Sequence, residues 1–162
     1  MNITNICWIV MLNIMSPNAS SSYQKKLVKS LPNRIKVCKQ VAKEAKKQSI
    51  DPVLAVSVAY HETRFENLTS SKGAKGPLGV IPKYHCPKKG KCDYTKAGIT
   101  ALKKFLKLNN YKKCKALAQY NRGLKGKCVQ GRSEYKYAHA VIDTFNEIIF
   151  FNQEACFDKP IK

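Results

Sequence analysis

The run Val53-Leu54-Ala55-Val56-Ser57-Val58-Ala59 sets the tightest limit on how this chain folds. It follows Asp51-Pro52, a capping residue and then a proline suited to the first helical position. Only Ser57 within it is polar, and a helix apolar on every side has no face for water. It must lie in the middle of the molecule with other helices around it. The flanking segments carry the matching pattern. Ile35, Cys38, Val41, Ala42 and Ala45 recur at helical spacing, with lysines on the other faces, which predicts a helix from Pro32 to about Ser49. Further helices are predicted over 95–108, 112–120 and 135–151, the last with Tyr137, Val141, Phe145 and Ile148 on one stripe. Residues 66–94, rich in Gly, Pro, Ser and Lys, read as a long loop with room for a short β element. No segment alternates with period two, so the expected fold is mainly α, one domain of 162 residues.

Seven cysteines add a second constraint. Residues 1–24 carry no charged side chain, and the apolar run inside them, ending near Met15, is shorter than the ~20 residues a spanning helix needs. Residues 1–21 therefore read as a signal peptide or membrane anchor, with small residues near Ala19 and Ser21 suited to cleavage, or else as a buried N-terminal helix, and residues 22–162 as the domain. Cleavage would remove Cys7 and leave Cys38, Cys86, Cys92, Cys114, Cys128 and Cys156, an even set that reads as three disulfides. Local pairs Cys86–Cys92 and Cys114–Cys128 would each close a Lys/Gly-rich loop, and Cys38–Cys156 would tie the first helix to the C-terminus. No C-x-x-C pair occurs, so no metal site and no cofactor are expected. Export follows from the leader and the disulfides.

The chain holds 30 Lys+Arg against 10 Asp+Glu, a formal charge of +20. Its 44% hydrophobic content excludes a disordered polybasic tail. Such charge calls for a polyanionic partner. Only Arg34, Arg64, Arg122 and Arg132 are arginines, and this lysine bias favours general attraction to anionic polymer over specific reading of nucleic-acid bases.

Against this background each carboxylate counts, and Glu62 stands out at the end of the apolar helix, in His61-Glu62-Thr63-Arg64-Phe65. A partly buried carboxyl has a raised pKa and can deliver a proton to a leaving oxygen. The residues alone also allow an ion pair with Arg64 or a nearby lysine. His61 would point to another helix face, and His85 and His139 carry no motif.

Glu62-Thr63-Arg64-Phe65, then Ser70, Gly73-Ala74-Lys75-Gly76 and Pro82, resemble the core of the soluble-type lytic murein transglycosylases, which share the goose-type lysozyme fold. Gly98 with Ala101-Leu102, then Ala118-Gln119-Tyr120-Asn121-Arg122-Gly123, then Tyr137 with Val141 resemble that family's later motifs in order, over about residues 33–145. The chain departs from the pattern at Thr63 for Ser, Ala101 for Tyr and Gly79 for a sugar-contacting Gln. The resemblance implies a small, monomeric, phage- or plasmid-type enzyme, secreted, periplasmic or virion-associated. It would cleave the β-1,4 bond between N-acetylmuramic acid and N-acetylglucosamine in peptidoglycan, forming a 1,6-anhydro ring. Its partners would be glycan strands and anionic wall polymers, with no specific nucleic acid. Glu62 would be acid and then base, and Tyr137 would orient it or serve as a core aromatic. Tyr120 and Asn121 would line the cleft or pack a helix end. Ser70 would face the sugar or cap a turn. Gly76 would let the loop approach sugar or simply turn the chain, and Leu78 would form an apolar wall. The alternatives are a hydrolytic goose-type lysozyme, or a non-catalytic cationic wall- or DNA-binding protein on a lysozyme-like scaffold. Asp93 stands as a second carboxylate that folding could bring to Glu62.

Overall fold

The computed structural model describes residues 2–15, 21–67, 69–87 and 90–157. Seven α-helices occur among them: α1 (Ile3–Ile14), α2 (Ser21–Lys47), α3 (Pro52–Thr63), α4 (Pro82–His85), α5 (Tyr94–Leu108), α6 (Lys113–Arg122) and α7 (Ser133–Phe157). A 3-10 turn, Gly123–Lys125, follows α6. No strand forms among the described residues. The expected β element reduces to two antiparallel bridges, Thr69 to Lys75 and Lys75 to Val80, that fold the loop after α3 back on itself.

The apolar helix takes the central place its composition demands. Every residue of α3 from Val53 to Tyr60 is buried, and the helix packs against α1, α2 and α7. Asp51 caps it, its Oδ1 accepting from the Val53 amide at 2.8 Å. Ser57 donates to the Val53 carbonyl at 2.8 Å, so the one polar side chain in the run is satisfied without water.

The start of α2 departs from expectation: Pro32 lies inside the helix, which begins at Ser21. A proline removes the amide that would meet the Val28 carbonyl. Both Pro32 and Val28 are exposed, and the helix runs through.

Three disulfides close the fold: Cys7–Cys38, Cys86–Cys92 and Cys114–Cys128. The two local pairs are as expected. The pair Cys38–Cys156 is corrected, because Cys38 bonds Cys7. Residues 3–14 of the expected leader form α1, which turns Ile6, Cys7, Val10, Met11 and Ile14 into the core and brings Cys7 against α2. Cys156 lies in the last turn of α7, and its side chain is outside the described residues, as is the expected cleavage point at Ala19. Among the described residues, no helix is long and apolar enough to cross a membrane. Three disulfides are consistent with an oxidising compartment.

Candidate functional site

Glu62 sits in the last turn of α3, where the buried helix meets the surface. The chain then turns sharply: Arg64 and Phe65 both adopt left-handed backbone, with φ of 53° and 63°. Such conformations are costly for residues with side chains and persist only where surroundings impose them. Here Phe65 is fully buried. Arg34 of α2, itself buried, donates Nη1 to the Arg64 carbonyl at 2.5 Å and pairs Nη2 with Glu66. The Arg64 guanidinium lies over the Tyr60 ring, 3.9 Å from its centroid. The nearby charges are thus engaged elsewhere, and among the described residues no ion pair reaches Glu62.

The partner of Glu62 comes from α7. Tyr137 donates its hydroxyl to Glu62 Oε1 at 2.6 Å. Burial raises the Glu62 pKa above the ordinary carboxylate value, and the Tyr137 hydrogen bond pulls it part of the way back. Burial and the adjacent carboxylate push the Tyr137 hydroxyl well above its usual range, so it remains a neutral donor. Oε1 is committed to Tyr137, which leaves Oε2 to carry a proton. Gly79 stands beside Oε2: a Cβ placed on it would lie 2.5 Å from that oxygen, and its φ of +61° also favours glycine. A glycine here keeps the carboxyl's second oxygen uncovered.

These groups open onto a cleft of about 100 Å³ lined by Glu62, Gly79, Val80, Ile81, His85, Ala101, Phe105, Tyr120 and Asn121. Tyr120 donates to the Leu78 carbonyl at 2.7 Å, fixing the loop to α6. Among the described residues lining the cleft, Glu62 is the one carboxylate. Asp93 is elsewhere, capping α5 with Oδ1 on the Lys96 amide at 3.0 Å.

The structure brings Glu62, Tyr120, Asn121 and Tyr137 together and leaves three of the expected site residues apart from the cleft. Ser70 is exposed and closes a turn, accepting from the Ala74 amide at 3.0 Å. Gly76 lies against Tyr94, where a Cβ would meet the Tyr94 Cβ at 2.5 Å. Leu78 is fully buried, and Gly98 of α5 leaves room for its side chain. The physical reason is the bridge between Lys75 and Val80. It folds the loop so that only its end, from Gly79, reaches the cleft.

Sequence reasoning missed His85. α4 and the Cys86–Cys92 disulfide hold it at the cleft, and burial followed by the charge of Lys104 lowers its pKa. Its one signal in the sequence is its place next to Cys86. His61 instead bonds Thr144 of α7 at 2.9 Å, a packing role. Cys114, Cys128 and His139 converge within 4.8 Å, but the two cysteines are bonded to each other and His139 stacks on Tyr135. A disulfide offers no thiolate to a metal. No protein-family model matches the chain, and neither a curated protein nor a solved structure matches it.

Proposed function

We propose that this chain is an exported peptidoglycan lytic transglycosylase with Glu62 as its single acid and base. The observation that carries the reading is the half-buried Glu62 carboxyl, held by Tyr137 at 2.6 Å in a cleft with no second carboxylate among its described lining residues. Most glycosidases that use water or a covalent intermediate employ two carboxyl groups, about 5–9.5 Å apart. One carboxyl of raised pKa suits a reaction in which the substrate supplies its own nucleophile. Protonated Glu62 gives its proton to the glycosidic oxygen, and the C1–O bond breaks as positive charge builds on the muramic acid ring. The C6 hydroxyl then attacks C1 and yields its proton to the Glu62 carboxylate, which closes the 1,6-anhydro ring and restores the acid. Tyr137 holds Oε1 throughout, so the proton travels through Oε2 beside Gly79. The order of motifs around these residues, resembling the soluble-type transglycosylases, supports the same substrate.

The test is to digest purified peptidoglycan and weigh the muropeptides. The reading expects muramic ends one water lighter than hydrolysis gives, and their loss in Glu62→Gln. Reducing ends of full mass would instead indicate a goose-type lysozyme. Wall clearing by Glu62→Gln at the parent rate would remove Glu62 from the chemistry, and absence of muropeptide release by the unmodified chain would favour a non-catalytic wall-binding protein.

A further inference from the structure

We propose that the cleft continues over His85 into a lysine-lined track along α5 that binds the carboxylates of peptide-bearing glycan strands. This rests on the transglycosylase reading and gives the site a substrate preference. The wall of the cleft at His85 is shared with a neighbouring hollow of about 290 Å³, which includes Lys91 and Lys96 and extends to Thr100. Thr100 in turn borders a third hollow formed with Lys103, Lys104 and Lys107. Residues 96, 100, 103, 104 and 107 fall at helical spacing on one face of α5, while Ile99, Leu102 and Leu106 of the same helix are buried. The three hollows therefore form one path, beginning at the catalytic carboxyl and running along a ridge of ammonium groups.

The charge along this path is uneven. Among its described lining residues the one carboxylate is Asp93, which accepts from the Lys96 amide as the cap of α5. Lys103 is tied to the Gln48 carbonyl at 2.6 Å. Lys91, Lys96, Lys104 and Lys107 are exposed, and none of the described ion pairs uses them. The Cys86–Cys92 disulfide ties the end of α4 to the segment entering α5, so the wall between cleft and track is held in place. A strand leaving the cleft along α5 would lay its peptide stems, which end in carboxylates, against these lysines. The ligand chemistry is an anion repeated along a polymer, and because the track starts in the cleft we assign it to the substrate strand itself.

The test uses full-length Glu62→Gln, so that binding is read without cleavage. Its affinity is measured for soluble glycan strands with intact stems and for the same strands after enzymatic removal of the peptides. A triple substitution, Lys96→Gln with Lys104→Gln and Lys107→Gln, is compared with Lys25→Gln, Lys26→Gln and Lys29→Gln, which remove the same charge from α2. Exposed ion pairs are individually weak, so the track triple is expected to weaken binding of stem-bearing strands by roughly tenfold at low salt. The gap should close as salt rises, and binding of stripped strands should not change. Equal weakening for both strands, or an equal effect from the α2 triple, would overturn the proposal. So would displacement of stem-bearing strands by a phosphodiester wall polymer as readily as by free stem peptide. A failure of the transglycosylase reading would show separately, as absence of Glu62-dependent cleavage of stripped strands by the unmodified chain.

Discussion

Gly79→Ala is the sharpest probe of the site, because the structure separates its two effects. The first is conformational. A φ of +61° places an alanine in left-handed backbone, which costs about 1–2 kcal/mol. For a chain of this size that lowers Tm by roughly 2–8 °C. The second effect is positional. The new Cβ would lie 2.5 Å from Glu62 Oε2, and restoring an ordinary contact of 3.4 Å requires a shift of about 0.9 Å. The displaced atom is the end of a side chain, so the shift adds little to the stability loss. On the proposed transglycosylase reading its consequence falls on the reaction, where a misplacement of ~1 Å can cost ~100-fold in rate. Gly73→Ala is the matched control: its φ is +76°, and a Cβ there meets nothing within 4 Å. Both variants should lose similar stability in thermal unfolding. Only Gly79→Ala should lose muropeptide release, by about two orders of magnitude. Equal rates for the two at equal Tm would refute the claim that Gly79 keeps the carboxyl's second oxygen clear.

Three further predictions follow from named contacts. Tyr137→Phe removes the hydrogen bond that favours ionised Glu62, so burial raises its pKa further. The alkaline limb of the kcat profile should move to higher pH, with a rate loss of roughly ten- to thirtyfold from poorer orientation, read from initial rates across pH. Glu62→Gln should be more stable than the parent at neutral pH. A carboxyl whose folded pKa is raised penalises the fold above that pKa, and the penalty fades as pH falls through it toward the ordinary value of 4.5; a Tm difference that stayed constant across this window would contradict the burial argument. Removing the disulfides singly by Cys→Ser pairs should cost most for Cys7–Cys38, which closes 31 residues, then Cys114–Cys128 with 14, then Cys86–Cys92 with 6. Chain entropy puts these at about 3.7, 3 and 2.2 kcal/mol, and urea unfolding would expose a different order.

Much of the helical framework was legible in the sequence because its signals are local. Asp51-Pro52 marks the start of α3, and the absence of a polar face sends that helix to the centre. α5 follows from apolar spacing to within one residue, whereas α7 begins two residues earlier and runs six residues further than the spacing predicts. Glu62 was legible as a candidate because it ends a buried helix in a chain poor in acids. Other features depended on what lay across from them. Pro32 signals a helix start until α2 is seen to begin at Ser21 and run through it. Cys7 lies in the segment that reads as a leader, and only the tertiary structure shows α1 burying it against Cys38. Gly79 reads as a lost side chain until Glu62 Oε2 is found 2.5 Å from where its Cβ would be.

The sequence by itself determined a lysine-rich, cystine-bearing helical domain with a carboxylate at the end of its central helix. Periodicity, capping and charge are properties of neighbouring residues, and a single chain displays them. Only the tertiary structure decided that Tyr137 rather than Arg64 is the partner of Glu62, that Asp93 caps a helix away from the cleft, and that His85 borders it. Those outcomes depend on distances between residues far apart in the chain, set by how α3, α5, α6 and α7 pack, and no spacing in the sequence encodes them one residue at a time.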